Sequence, residues 1–217
     1  MMKNLFYLAF AILTFNACGE GGSAMQKKAP QITTISGTIN MAPYPNIIIS
    51  DDKNFFEAQL TNGQFSISPE IDLPAIYTVH YGRERANIFI NPGDSVILNA
   101  EGQRFGWTLT VQGELANENA FLLEKVKLDR DRFSMKVKDF MLEEAEFIAA
   151  MDYTRKQNQS EFDKAAKEKK FNPEFISLMN KEILYEWATD RINYKQYHQF
   201  YNKVEDHQLS ENYYDFR

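Results

Sequence analysis

The sequence is poor in the residues that most enzyme sites and most chain breaks are made of. It has one cysteine, Cys18, in 217 residues. That excludes an internal disulfide and any C-x-x-C pair, and with it thiol–disulfide exchange by this chain alone. Only three histidines occur, His80, His198 and His207. There is no H-E-x-x-H, no G-x-S-x-G elbow and no glycine-rich phosphate loop ahead of a helix. No apolar run reaches the roughly 20 residues that a bilayer-spanning helix needs. Basic residues do not dominate: the formal net charge is −6, with 24 Lys and Arg against 30 Asp and Glu, which argues against a nucleic-acid partner. Beyond Gly113 there is no glycine and one proline, Pro173.

What is present begins with an export signal. After Met1-Met2-Lys3-Asn4 comes the apolar block Leu5–Leu13. It is too short to span a membrane as an uncleaved anchor and fits the apolar segment of a secretory signal, about 7–15 residues. The ordinary cleavage site wants small residues on both sides of a spacer, and Phe15 is bulky. Phe15-Asn16-Ala17-Cys18 instead resembles the lipobox of bacterial lipoproteins, with Asn16 departing from the small residues usual at that place. The resemblance implies cleavage before Cys18, a diacylglycerol on its sulfur, and attachment to a membrane through that lipid. Loss of residues 1–17 removes Lys3 and no acid, so the mature acidic excess is larger by one. Residues 18–30, rich in glycine and charge, read as a flexible tether.

Residues 31–112 have the texture of strands. Ile32–Ile39, Asn46–Ser50, Phe55–Leu60, Phe65–Ile67, Ile76–Tyr81, Ala86–Ile90, Ser95–Asn99 and Thr108–Val111 are β-rich runs bounded by turn residues. Asn62-Gly63 predicts a type I′ hairpin turn. Asn91-Pro92-Gly93-Asp94 predicts a type II turn with φ > 0 at Gly93, joining the flanking strands as a hairpin. Seven or eight short strands point to an antiparallel β-sandwich or partly open barrel.

Residues 113–217 read as helical. Leu122, Val126, Phe133, Val137, Phe140, Met141, Ile148 and Met151 recur at helical spacing, with bends or breaks expected at Asp129 and Glu144. A shorter amphipathic piece surrounds Phe162 and Ala166. Asn172-Pro173-Glu174 is a helix start, with Asn as the cap, Pro in the first turn and an acid beside it. The helix it opens carries Ile176, Met179, Ile183, Trp187, Tyr194, Tyr197, Tyr201 and Val204. The expected architecture is α+β: the β-domain followed by a helical hairpin or three-helix domain.

Candidate site residues are few. His80 lies in a strand and reads as packing. His198 and His207, nine apart, are poorly spaced for one helical face; Glu205 and Asp206 beside them make at most a weak metal site. Asp51-Asp52 and Glu143-Glu144 read as solvated pairs, and Lys167-Glu168-Lys169-Lys170 as a solvated helix end. Trp187, Tyr194, Tyr197 and Tyr201 could stack on a sugar, but their helical spacing favours core or interdomain packing. No catalytic, cofactor-binding or metal-ligating set emerges, and the one assigned site is the lipid attachment at Cys18.

Several stretches of the β-part are similar to a known module. They are Ile35-Ser36-Gly37-Thr38-Ile39, Asn62-Gly63-Gln64-Phe65, Leu73-Pro74-Ala75-Ile76-Tyr77 and above all Phe89-Ile90-Asn91-Pro92-Gly93-Asp94-Ser95-Val96-Ile97-Leu98. They resemble the uncharacterised N-terminal β-domain of Bacteroidetes envelope-anchored thioredoxin-like lipoproteins. Gly113-Glu114 with Asn117-Glu118-Asn119-Ala120-Phe121 is similar to that family's passage into its helical linker. The likeness covers roughly residues 31–205. It implies the company of a thioredoxin-like domain, in cis or in trans, whose W-C-x-x-C motif this chain lacks. The expectation is therefore a non-catalytic lipoprotein module of the bacterial cell envelope, facing periplasm or cell surface, that accompanies a thiol–disulfide oxidoreductase domain. The alternative is a stand-alone surface lipoprotein that binds a glycan or a peptide.

Overall fold

The computed structural model describes residues 29–216; Cys18, the expected signal and most of the expected tether lie outside the described residues. Ten strands come first: β1 (Gln31–Ile32), β2 (Thr34–Asn40), β3 (Asn46–Ser50), β4 (Phe55–Gln59), β5 (Gln64–Ile67), β6 (Glu70–Ile71), β7 (Ala75–Tyr81), β8 (Glu84–Ile90), β9 (Ser95–Glu101) and β10 (Thr110–Gln112). A short helix α1 (Phe105–Thr108) lies between β9 and β10, and three long helices follow: α2 (Ala116–Met141), α3 (Glu144–Lys169) and α4 (Pro173–Asn202). The expected α+β order, strands then helices, is what the chain adopts.

The strands form two four-stranded sheets, ordered β10-β9-β2-β5 and β4-β3-β7-β8, plus the small β1-β6 pair. Alternation does the sorting. Ile47 and Ile49 of β3, Tyr77, Val79 and Tyr81 of β7, and Val96, Leu98 and Ala100 of β9 are buried at every second position. With Ile35, Ile39 and Phe65 they make one core between the sheets. Burying one such side chain contributes about 1.5–3 kcal/mol. Pairing is antiparallel except between β2 and β9, which run parallel from Thr34 opposite Ser95 to Asn40 opposite Glu101.

Both sequence-predicted turns form, but neither makes a hairpin of two paired strands. Asn62 (φ 52) and Gly63 (φ 77) have the two positive φ values of a type I′ turn, closed by hydrogen bonds between Thr61 and Gln64. Pairing stops there, because β4 and β5 enter different sheets. At Asn91–Asp94, Gly93 has φ 86, as type II requires, and the Asp94 N–H donates to the Asn91 carbonyl. Here too β8 and β9 belong to different sheets, which corrects the expected hairpin. The wholly buried Thr33 clamps this corner: its hydroxyl accepts from the Gly93 N–H at 2.9 Å. The direct β-hairpins are β3–β4, turned through Asp51–Asn54, and β7–β8, turned through Gly82 (φ 59) and Arg83.

The helices pack as an up-down-up layer. α2 runs through Asp129 without a break and ends at Met141, with Leu142 as its C-cap, just before Glu144. The amphipathic piece around Phe162 is the C-terminal half of one helix beginning at Glu144. The start at Asn172-Pro173 forms as expected, with the Asn172 side chain accepting from the N–H groups of Glu174 and Phe175. Sheet and helices meet at β8, whose outer edge would otherwise present unpaired backbone. The buried Asn119 amide fills that edge: its oxygen accepts from the Phe89 N–H at 2.7 Å and its nitrogen donates to the Phe89 carbonyl at 3.0 Å. Glu118, also buried, accepts from the Asn172 N–H at 2.7 Å, placing a carboxylate at the positive end of α4. Phe89 itself inserts among Leu122, Phe162 and Phe175.

Candidate functional site

The sequence's aromatic and histidine candidates converge at the end of the helices far from the sheets. There α2 ends, α3 begins, and α4 passes into a segment, residues 203–216, that folds back over α3 and α4. Lys203 (φ 56) supplies the left-handed residue that reverses the chain. The core of this end is Phe140, Phe147, Met151, Tyr194 and Tyr213. Tyr194 stacks on Phe147 at 4.2 Å between ring centroids and donates its hydroxyl to the Leu142 carbonyl at 2.8 Å. Burial foremost, then Glu143, Tyr213 and Glu144, push its phenol far above the ordinary range.

The returning segment is tied at several points. The Tyr213 hydroxyl donates to the Arg191 carbonyl at 2.6 Å, and the Arg191 guanidinium donates to the Tyr213 carbonyl at 3.3 Å. Burial, only partly offset by Arg191, pushes the Tyr213 phenol up to about 12. Ser210 donates its N–H and hydroxyl to the two oxygens of Glu144. Arg191 is buried between the rings of Trp187, Tyr213 and Phe216, at 5.4, 5.1 and 4.3 Å from their centroids, and its Nε has no hydrogen-bond partner among the described residues.

The structure brings His198 and His207 together although the sequence spacing argued against it: their ring centroids lie 4.1 Å apart, with planes 34° from parallel. The reversal at Lys203, not the helical repeat, does this. His198 is buried, with Nδ1 3.1 Å from the Phe140 carbonyl and the Asn202 amide nitrogen almost equidistant from Nδ1, at 3.1 Å, and Nε2, at 3.2 Å. A carbonyl only accepts, so Nδ1 carries the proton that bonds it, while the Asn202 amide nitrogen lies beside both ring nitrogens. Among the described residues no group of three His, Cys, Asp or Glu is placed to hold a metal ion.

The four α4 aromatics divide. Trp187, half-buried, donates to Asp152 at 2.9 Å and lies under Arg155; Tyr194 is wholly buried; Tyr201 is half-buried. Packing, the favoured sequence reading, accounts for these three. Tyr197 remains 38% exposed and, with Phe200 at 73%, Val204 at 41%, Tyr214 at 37% and Met141 at 46%, leaves apolar surface at the free end. Met141 and Val204 belong to the apolar stripes read from sequence; Phe200 and Tyr214 do not, Phe200 lying outside the apolar stripe of α4.

The other candidates lie elsewhere. His80 is half-buried on β7, opposite Arg85. Lys167 and Lys169 occupy the last turn of α3, and Lys170 (φ 55) ends it, as a solvated helix end. Asp51 caps its own turn, accepting from the N–H groups of Lys53 and Asn54. With Asp52, Asp72 and Tyr77 it borders a recess of about 340 Å³. Burial first, then Asp51 and Asp72, push the Tyr77 phenol up to about 12. A smaller cavity of about 80 Å³ lies among α2, α3 and α4, floored by Phe121, Leu128 and Ile183. No described helix is long and apolar enough to cross a membrane.

No family model, no curated protein and no solved structure matches this chain.

Proposed function

We propose that the chain is a lipid-anchored module of the bacterial cell envelope, non-catalytic by itself, that positions a thioredoxin-like thiol–disulfide oxidoreductase domain joined to it in cis or supplied in trans. The observation that carries this reading is the exposed surface of Tyr197, Phe200, Val204, Tyr214 and Met141 at the far end of the helices. A module that positions a partner needs a rigid arm and a contact surface at its tip. Asn119 and Glu118 lock the near ends of α2 and α4 to β8 and to each other. The exposed aromatics provide the contact chemistry, aromatic side chains being enriched at the buried centre of protein interfaces. Cys18, the only thiol, would be consumed by lipidation.

Two measurements test the reading. Purified protein should neither reduce insulin disulfides nor speed their reshuffling. It should bind an added thioredoxin-like domain, and Phe200→Asp should weaken that binding at least tenfold. Disulfide reduction above the no-protein control would overturn the non-catalytic part. Absence of binding would favour the second reading, a stand-alone lipoprotein that takes up a glycan or peptide, for which the recess beside Asp51 and Tyr77 is the available concavity.

A further inference from the structure

We propose that the His198–His207 stack is a proton-operated latch. With the His207 ring neutral, segment 204–216 lies closed over α3 and α4; when His207 gains a proton, the segment lifts away.

The geometry carries the argument. His198 is buried, with Nδ1–H on the Phe140 carbonyl and the Asn202 amide nitrogen, which donates to the Met141 carbonyl, 3.1 and 3.2 Å from its two ring nitrogens. His207 lies on this ring at 4.1 Å and against the edge of Tyr194 at 5.5 Å. Its Nε2 is buried and has no hydrogen-bond partner among the described residues. A charged imidazolium there would have one N–H with neither water nor an acceptor, a costly state for a buried charge. Outside, in water, the same proton is held freely.

The charged groups on the elements packed around His207 enter the balance, Lys195, Glu143 and Glu144 acting on it directly. From α4 come Lys195, which opposes a second positive charge, and Arg191, one turn before it. From the start of α3 and the residue before it come Glu144 and Glu143, which favour the charge. From the segment itself come Glu205, Asp206 and Glu211, all exposed. Glu144 is already engaged by the Ser210 N–H and hydroxyl. Burial, then His198, outweigh the two glutamates, and the His207 imidazole is held below its ordinary value. A base whose folded value is lowered leaves the closed form intact above its unfolded value, about 6.5, and weakens it as pH falls below that. The closing contacts at Tyr213 and Phe216 are on the same segment, so the opening reaches Arg191 and Trp187.

The test is amide hydrogen exchange on the full chain, followed for residues 204–216 and corrected for intrinsic rates. Protection should fall about tenfold or more between about pH 8 and pH 5, while β2 and β9 keep theirs. In His207→Phe, which keeps an aromatic ring and removes the proton site, the segment should stay protected at both pH values. A second readout covers the case in which that variant cannot close: in the unmodified protein the opening must track the titration of the His207 ring protons in the NMR spectrum, with His80 as the unlinked control. Equal protection at both pH values, a pH response that persists in His207→Phe, or an opening that does not follow His207 would each overturn the latch.

Discussion

Replacing Asn119 with alanine removes the amide that seals the edge of β8, and the cost can be worked from the contacts. The side chain is 1% exposed, and Phe89, whose backbone it serves, is wholly buried. Truncation orphans the Phe89 N–H, which loses a 2.7 Å bond, and the Phe89 carbonyl, which loses a 3.0 Å bond. The Leu115 carbonyl keeps the Asn119 backbone N–H as donor and loses only its second partner. A buried unsatisfied backbone group costs about 1–3 kcal/mol. The expected loss is about 2–5 kcal/mol, a shift of roughly 1–2 M in the urea midpoint for a protein of this size. Asn119→Asp sharpens the test. Its carboxylate can still accept from Phe89 N–H but faces the Phe89 and Leu115 carbonyls, so the folded state would hold it protonated. A carboxyl raised on folding is tolerated at low pH and loses stability as pH rises above about 4. Asn119→Asp should therefore be worse near pH 8 than near pH 5, a dependence Asn119→Ala lacks. Asn117→Ala, two residues away on the exposed face, should stay within about 0.5 kcal/mol. A loss under about 1 kcal/mol in Asn119→Ala, or an Asn119→Asp cost that ignores pH, would refute the edge-sealing argument.

Other outcomes follow from the same contacts. Gly37→Ala would place a Cβ 1.9 Å from the Leu98 carbonyl oxygen in the parallel partner strand, so β2 and β9 must part; it should cost about 3 kcal/mol or more by denaturation. Gly93→Ala, at φ 86 with only the flexible Gln31 side chain in the way, should cost about 1–2 kcal/mol, and a reversed order of the two would contradict the register. Tyr77 is held up at about 12, so the folded state keeps its phenol proton longer than the unfolded chain; stability should be intact below about pH 10 and fall from there towards 12, and Tyr77→Phe should flatten part of that decline. Cys18→Ser should leave the precursor uncleaved or release the protein from the membrane fraction; an unchanged pellet with unchanged mobility would contradict lipidation.

The order of strands and helices was legible along the chain because it depends on local pattern. Alternation in β7 and β9 records burial on one face, Asn62-Gly63 and Pro92-Gly93 demand particular φ values, and Asn172-Pro173-Glu174 caps a helix through its own atoms. What the sequence hid follows from where it lacks punctuation. Two of the three long helices end on lysines in the left-handed conformation, Lys170 and Lys203, where glycine is the usual sign. The reversal at Lys203 that brings His207 onto His198 was therefore invisible, and a nine-residue spacing was measured along a helix that had already stopped. The turn residues likewise specify how the backbone bends and not which strand lies next to it. Asn62-Gly63 and Asn91–Asp94 keep their expected turns while delivering their strands to opposite sheets, and each residue of β2 finds its partner in β9 a little over sixty residues along the chain. Local chemistry determined the elements and their turns. Pairing across the sheets, the sealing of β8 by Asn119 and the meeting of the two histidines were decided by tertiary structure, because each depends on burial that no segment can achieve by itself.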